Sequence, residues 1–173
     1  MRPWVSLLMA GVLLMTPALV GGGTGVKPLD ERVRHELNML PFFGVFDYLT
    51  YRVDGDKVIL AGEVTRPVLK HDAETAVQRL AGVTTVDDQI EVLPLSGFDN
   101  RIRLAELRTV YGNSVLQRYG LGPSAPIRIV VKNGNVTLEG VVHSKMDKNV
   151  AGVAANTVPG VFSVTNNLVV DAS

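Results

Sequence analysis

The chain repeats itself. Residues 53–92 align with residues 131–170 at a constant offset of 78 without a gap, and twelve of the forty pairs are identical. Among them are Val58/Val136, Leu60/Leu138, Gly62/Gly140, Lys70/Lys148, Ala73/Ala151 and Gly82/Gly160. The identities are small or aliphatic apart from the one lysine pair; no acid, serine or histidine is shared. Two copies that keep a core and its turns, but no common reactive set, point to a binding module before an enzyme. A period this long means two small domains in tandem, because a solenoid stacks three or more units of about 20–50 residues.

Each copy reads helix, strand, strand, helix, strand. In the second, Ser96 and Asp99 are candidate caps for a helix from about Asn100, with Leu104, Leu107, Tyr111 and Val115 at roughly helical spacing. Ile127, Ile129 and Val131 alternate with Arg128, Val130 and Lys132, as in a strand with one buried face. Asn133-Gly134 is a tight-turn dipeptide, so a hairpin is expected over 127–142. Ala151, Ala154, Ala155 and Val158 follow at i, i+3, i+4 and i+7, matched by Ala73, Ala76, Val77 and Leu80. Both of these helices end at a glycine, Gly82 or Gly160, where a left-handed cap belongs. Gly62 and Gly140, lacking a Cβ, are expected either to admit a helix backbone or to form a mid-strand bulge. The domains run over 28–94 and 99–171, joined by Leu93-Pro94-Leu95-Ser96-Gly97. The first copy alone carries an aromatic stretch, Phe42-Phe43-Gly44-Val45-Phe46, read either as a loop over the core or as an exposed docking surface formed by Phe42, Phe43 and Phe46.

The N-terminus has the layout of a secretory signal peptide over residues 1–23: a basic start at Arg2, an apolar run from Trp4 to Val20, and small residues from Gly21. Export is the expectation. The chain has no cysteine, which excludes disulfides, cysteine metal sites and a cysteine-linked lipid, so no lipoprotein is expected. Hydrophobic residues make up 46% of the chain and charged residues 20%, enough for a core. The net charge is zero, but residues 30–94 hold 7 Lys/Arg against 12 Asp/Glu, and residues 95–173 hold 8 against 5. The halves are therefore −5 and +3. A neutral chain without basic–aromatic interleaving argues against nucleic acid. His35, His71 and His143 occupy no matching positions and lack metal-ligand spacing. No phosphate loop and no Gly-x-Ser-x-Gly is present, so no catalytic residues, metal or cofactor are expected. Asp87-Asp88 reads as a solvated pair in the turn before a strand.

Val58-Ile59-Leu60-Ala61-Gly62-Glu63-Val64 and Val136-Thr137-Leu138-Glu139-Gly140-Val141-Val142, each followed by an alanine-rich helix and Gly-Val-x-x-Val, resemble the BON domain family. The resemblance implies an α+β fold of two tandem αββαβ two-layer domains, each a small mixed three-stranded sheet with two helices. It also implies a bacterial envelope setting and attachment to phospholipid membranes. Tandem pairs behind a signal peptide look like members tied to osmotic stress and outer-membrane integrity. On that footing the basic residues of the second copy become lipid-contact candidates: Arg101 and Arg108, seven apart on one helix face, and Lys145 and Lys148 on the next helix. The partner expected is an anionic phospholipid surface; the alternative is a chaperone-like adaptor for envelope proteins, docking through the aromatic stretch or a sheet edge.

Overall fold

In a computed structural model of the protein, residues 27–122 and 125–171 are described, and the expected leader lies outside them. Unit one runs α1 (Leu29–Asn38), β1 (Tyr48–Asp54), β2 (Lys57–Val64), α2 (Pro67–Gln78) and β3 (Thr85–Val92). Unit two runs α3 (Gly97–Tyr111), a 3₁₀ turn (Gln117–Gly120), β4 (Ile127–Lys132), β5 (Asn135–Val142), α4 (Lys145–Asn156), β6 (Ser163–Asn166) and β7 (Val169–Val170). The αββαβ order is thus present twice.

In both sheets the hairpin is antiparallel and the last strand returns parallel to the middle one. In unit two that last strand is broken at Asn167-Leu168, and both pieces, β6 and β7, pair with β5. The helices of each unit pack together on one face of its sheet. Repeated residues make the two cores: Val58, Leu60, Val64 and Ala73 in one, Val136, Leu138, Val142 and Ala151 in the other, all fully buried. Alanine at the helix positions brings α2 and α4 close to the strands.

The repeated glycines have a strand-side role. Gly62 (φ +124°) stands opposite Leu49, and a Cβ there would lie 2.1 Å from the Tyr48 carbonyl oxygen. Gly140 (φ +115°) stands opposite Ile127, and its Cβ would lie 1.9 Å from the Pro126 carbonyl oxygen. Neither reading open in the sequence holds: the close neighbour is the hairpin partner's backbone rather than a helix, and the pairing runs one to one through both glycines with no extra residue, so what they supply is a positive φ and room for that carbonyl. Asn133-Gly134 turns with positive φ at both residues.

Two expectations need correction. The buried face of α3 is Asp99, Ile102, Arg103, Glu106 and Val110, whereas Leu104 is 40% exposed. Asp99 sets this phase. Its carboxylate accepts from the backbone N–H of Asn133 (2.9 Å) and Gly134 (2.8 Å), while Arg103 Nη2 donates to the Val131 carbonyl (2.7 Å). These bonds turn a polar stripe inward, against the spacing of the leucines. Asp87 and Asp88 lie within β3 rather than before it. Asp87 pairs with Lys57 at 2.9 Å and Asp88 with Lys70 at 3.7 Å.

Candidate functional site

Unit two holds eight basic residues, and the fold uses four of them internally. Arg103 bonds Val131; Arg118 pairs with Asp147; Arg128 Nη1 donates to the Gly44 carbonyl (2.7 Å); Lys132 pairs with Glu91 across the units (2.6 Å). The four that remain without an ion pair among the described residues are Arg101, Arg108, Lys145 and Lys148. Arg101, Arg108 and Lys145 are exposed and Lys148 is half-buried. Helix phase places Arg101 and Arg108 opposite the buried stripe of α3, about 10 Å apart along the axis. Arg101 also lies 6.0 Å from the centroid of the Phe98 ring.

Apolar side chains accompany this charge. Met146 is 64% and Val153 68% exposed on α4, and Val150 lies between them at helical spacing. With Thr109 and Asn113 of α3 and its C-terminal side, Val150 and Val153 line an open groove between the two helices. A helix that shows lysines beside exposed Met and Val has the make-up of an interfacial surface. The N-terminus of α4 is held by a buried knot. Asp147 accepts from the Tyr119 hydroxyl (2.8 Å), from Arg118, and through its own N–H is tied to Ser144 Oγ (3.0 Å). Burial works against the Asp147 charge, but these bonds outweigh it and hold its pKa below the usual carboxylate range.

The aromatic stretch of unit one forms the seam between the units. Phe43 packs on the core of unit one, while Val45 and Phe46 pack on the core of unit two. The Arg128 guanidinium stacks 4.3 Å from the Phe43 ring centroid, and the Ile129 N–H donates to the Val45 carbonyl (2.8 Å). That bond covers part of the β4 edge. Asp47, 2% exposed, pins the stretch by accepting from Gly44 N (2.9 Å), Thr65 N (2.6 Å) and Thr65 Oγ1 (2.7 Å). As a docking surface of three aromatic residues the stretch therefore fails: Phe43 and Phe46 already have partners inside the chain, and only Phe42, 65% exposed, is open. The reason is that the extra residues between α1 and β1 fill the gap between two sheet edges.

Beside the seam lies a cleft of about 680 Å³ lined by Phe46, Thr65, Arg66, the connector Leu93–Gly97, Asn100 and Arg103. Sequence reasoning missed Arg66 and Arg103. Neither stands in a motif, and their meeting depends on how the second unit docks on the first. Glu106 was missed because it lies off the leucine pattern of α3, on the face that the helix turns inward. It is fully buried, neither carboxylate oxygen has a hydrogen-bond partner, and burial pushes its pKa up to about 7. Among the described residues, no group of three or more His, Asp or Glu gathers as a metal site, and no helix is long and apolar enough to cross a membrane.

The BON domain model matches the chain twice, over residues 27–94 and 113–172, the second match starting after α3. No curated protein matches the chain. Among solved structures, the chain is similar to the C-terminal domain of CdsD, the structural protein of the type III secretion system of Chlamydia trachomatis, at 14% identity and a TM-score of 0.30, covering 84% of this chain and 100% of that one. A second CdsD structure from the same organism matches at 15% identity and a TM-score of 0.30, covering 83% and 92%. Likeness at that level carries no functional argument.

Proposed function

The chain belongs to the BON domain family, and from that premise we propose that it is a non-enzymatic protein of the bacterial envelope. It is exported to the periplasm and adsorbs through unit two to anionic phospholipid, in support of envelope integrity or stress tolerance. The observation that supports this reading is the sorting of charge in unit two. Every basic residue that the fold does not use internally lies on the outer helices, beside exposed Met146 and Val153. Each basic group near an anionic leaflet contributes about 1 kcal/mol, so four give reversible, salt-sensitive attachment.

The test is co-sedimentation of the full chain with phosphatidylglycerol-containing vesicles and with neutral vesicles. Binding is expected only to the anionic ones, and it is expected to fall as salt rises to about 1 M, where the Debye length is about 3 Å. Replacing Arg101, Arg108, Lys145 and Lys148 together by Glu is expected to abolish it with the circular dichroism spectrum unchanged. Salt-insensitive binding, or binding retained by the reversed protein, overturns the reading. The adaptor alternative has weaker support, since Phe43 and Phe46 are occupied and the β4 edge is partly covered. Its signature is a co-purifying envelope protein without vesicle binding.

A further inference from the structure

The cleft beside the seam has the make-up of an anion site. Arg103 lines it, is 6% exposed, and has a buried Nε with no hydrogen-bond partner. Its one bond goes from Nη2 to a backbone carbonyl, and no carboxylate pairs with it. The two acids whose charges act on it, Asp99 and Asp47, already accept from Gly44, Thr65, Asn133 and Gly134. A buried guanidinium with an idle donor is costly unless a ligand meets it.

Three further features converge there. Arg66 is exposed on the lip, its guanidinium 5.1 Å from the Phe42 ring centroid and in no ion pair among the described residues. The first turn of α3, a helix of 15 residues, opens on the cleft at Gly97 and Asn100, the positive end of the helix dipole. Gly97 has nothing within 4 Å of where a Cβ would stand, so an oxyanion has room to approach its N–H. The rest of the wall is apolar, from Phe46 and Pro94 to the fully exposed Leu95.

We propose that this cleft binds a phosphate ester, with Arg66 and Arg103 gripping the anion, the α3 turn donating backbone N–H, and Leu95 and Phe46 meeting the ester's organic part. The membrane reading enters only in the source of the ester, a phospholipid headgroup or a soluble glycerophosphate; the chemistry of the cleft is the same for both.

The experiment is an NMR titration of the ¹⁵N-labelled full chain with glycerol 3-phosphate, repeated in the presence of phosphatidylglycerol vesicles. Saturable shifts at the Gly97 amide are expected, since the Asp99 and Asn100 N–H groups already donate to Ser96. Arg66→Gln, an exposed change, and Arg103→Gln are each expected to weaken binding about tenfold, the worth of a hydrogen bond to a charged group. If Arg103→Gln does not fold, Arg66→Gln alone decides. Competition by the vesicles supports a lipid source; saturable binding without competition supports a soluble one. The Glu-reversed protein of the vesicle experiment is expected to keep these shifts, so loss of membrane adsorption leaves this site standing. Absence of saturable shifts with either ligand, or full affinity in Arg66→Gln, overturns the proposal.

Discussion

Lys70 and Lys148 occupy the same place in two copies of one fold, yet only Lys70 meets a counter-charge. Its ammonium donates to the Ile90 carbonyl (2.6 Å) and lies 3.7 Å from Asp88. In unit two the place of Asp88 is taken by Asn166, whose amide donates instead to the backbone carbonyl of Lys148 (2.7 Å), leaving the ammonium without an ion pair. The same exchange recurs along the repeat. Lys57 and Asp87 form an ion pair in unit one; Asn135 and Thr165 stand in their places in unit two. On the second helix, Asp72 and Glu74 of α2 become Val150 and Gly152 of α4. One scaffold has been kept, with the acids removed from the outer face of one copy. Of these positions only Val150 packs against the core of its unit, as an apolar residue, and what changes is the field that the unit presents to an anionic surface.

The largest effect tests what the two copies share. Gly62→Val and Gly140→Val each place a Cβ against a carbonyl oxygen in a backbone conformation that L-residues avoid. A loss of about 3 kcal/mol or more is expected from each, read by urea unfolding. Unchanged midpoints in both variants mean that the shared positive-φ glycine does not matter to the fold.

Next in size is a contrast between buried acids. Asp47, at the seam, has three donors, whereas Glu106, in unit two, has none. Burial raises the folded-state pKa of Glu106 from 4.5 to about 7, so between those values the native state binds the extra proton. Stability is therefore full below pH 4.5, falls as the pH rises through that window, and stays reduced above it. The expected fall is about 2 kcal/mol with solvent screening allowed for, and Glu106→Gln is expected to remove it. A pH profile of unfolding that is identical in the two proteins contradicts the orphaned carboxyl.

Asn166→Asp sharpens the comparison most directly, since it gives unit two the acid that unit one has. One neutralised lysine corresponds to about 1 kcal/mol, or a roughly fivefold weaker adsorption to anionic vesicles. Adsorption that is unchanged excludes Lys148 from the contact. The smallest effect belongs to the seam: Glu91→Gln removes an exposed pair with Lys132, and the melting temperature is expected to stay within error of the parent protein. A clear drop shows that this pair helps to hold the units together.

The sequence by itself determined the two copies, their strand and helix order, the Asn133-Gly134 hairpin and the need for glycine at Gly82 and Gly160, although these stand at positive φ in the turns after the C-caps Arg79 and Thr157 and do not cap the helices themselves. These depend on short-range rules: periodicity, turn chemistry and the backbone freedom of glycine. The outward placement of Arg101, Arg108 and Lys145 was also legible, because a charge outside the apolar pattern of a helix faces outward by default; Lys148 is half-buried. Tertiary structure alone decided the rest. Leucine spacing suggested one buried face for α3, but Asp99 and Arg103 bond to β4 and its turn, nearly thirty residues or more away in the chain, and turn the helix to another. Phe43 and Phe46 were open to either a loop over the core or an exposed surface, and the packing of Phe43 on one core and Phe46 on the other decided for the first. Arg66 and Arg103 share a cleft only because the connector folds unit two back onto that seam. A side chain's partner across such a distance is set by packing, and local sequence carries no record of it.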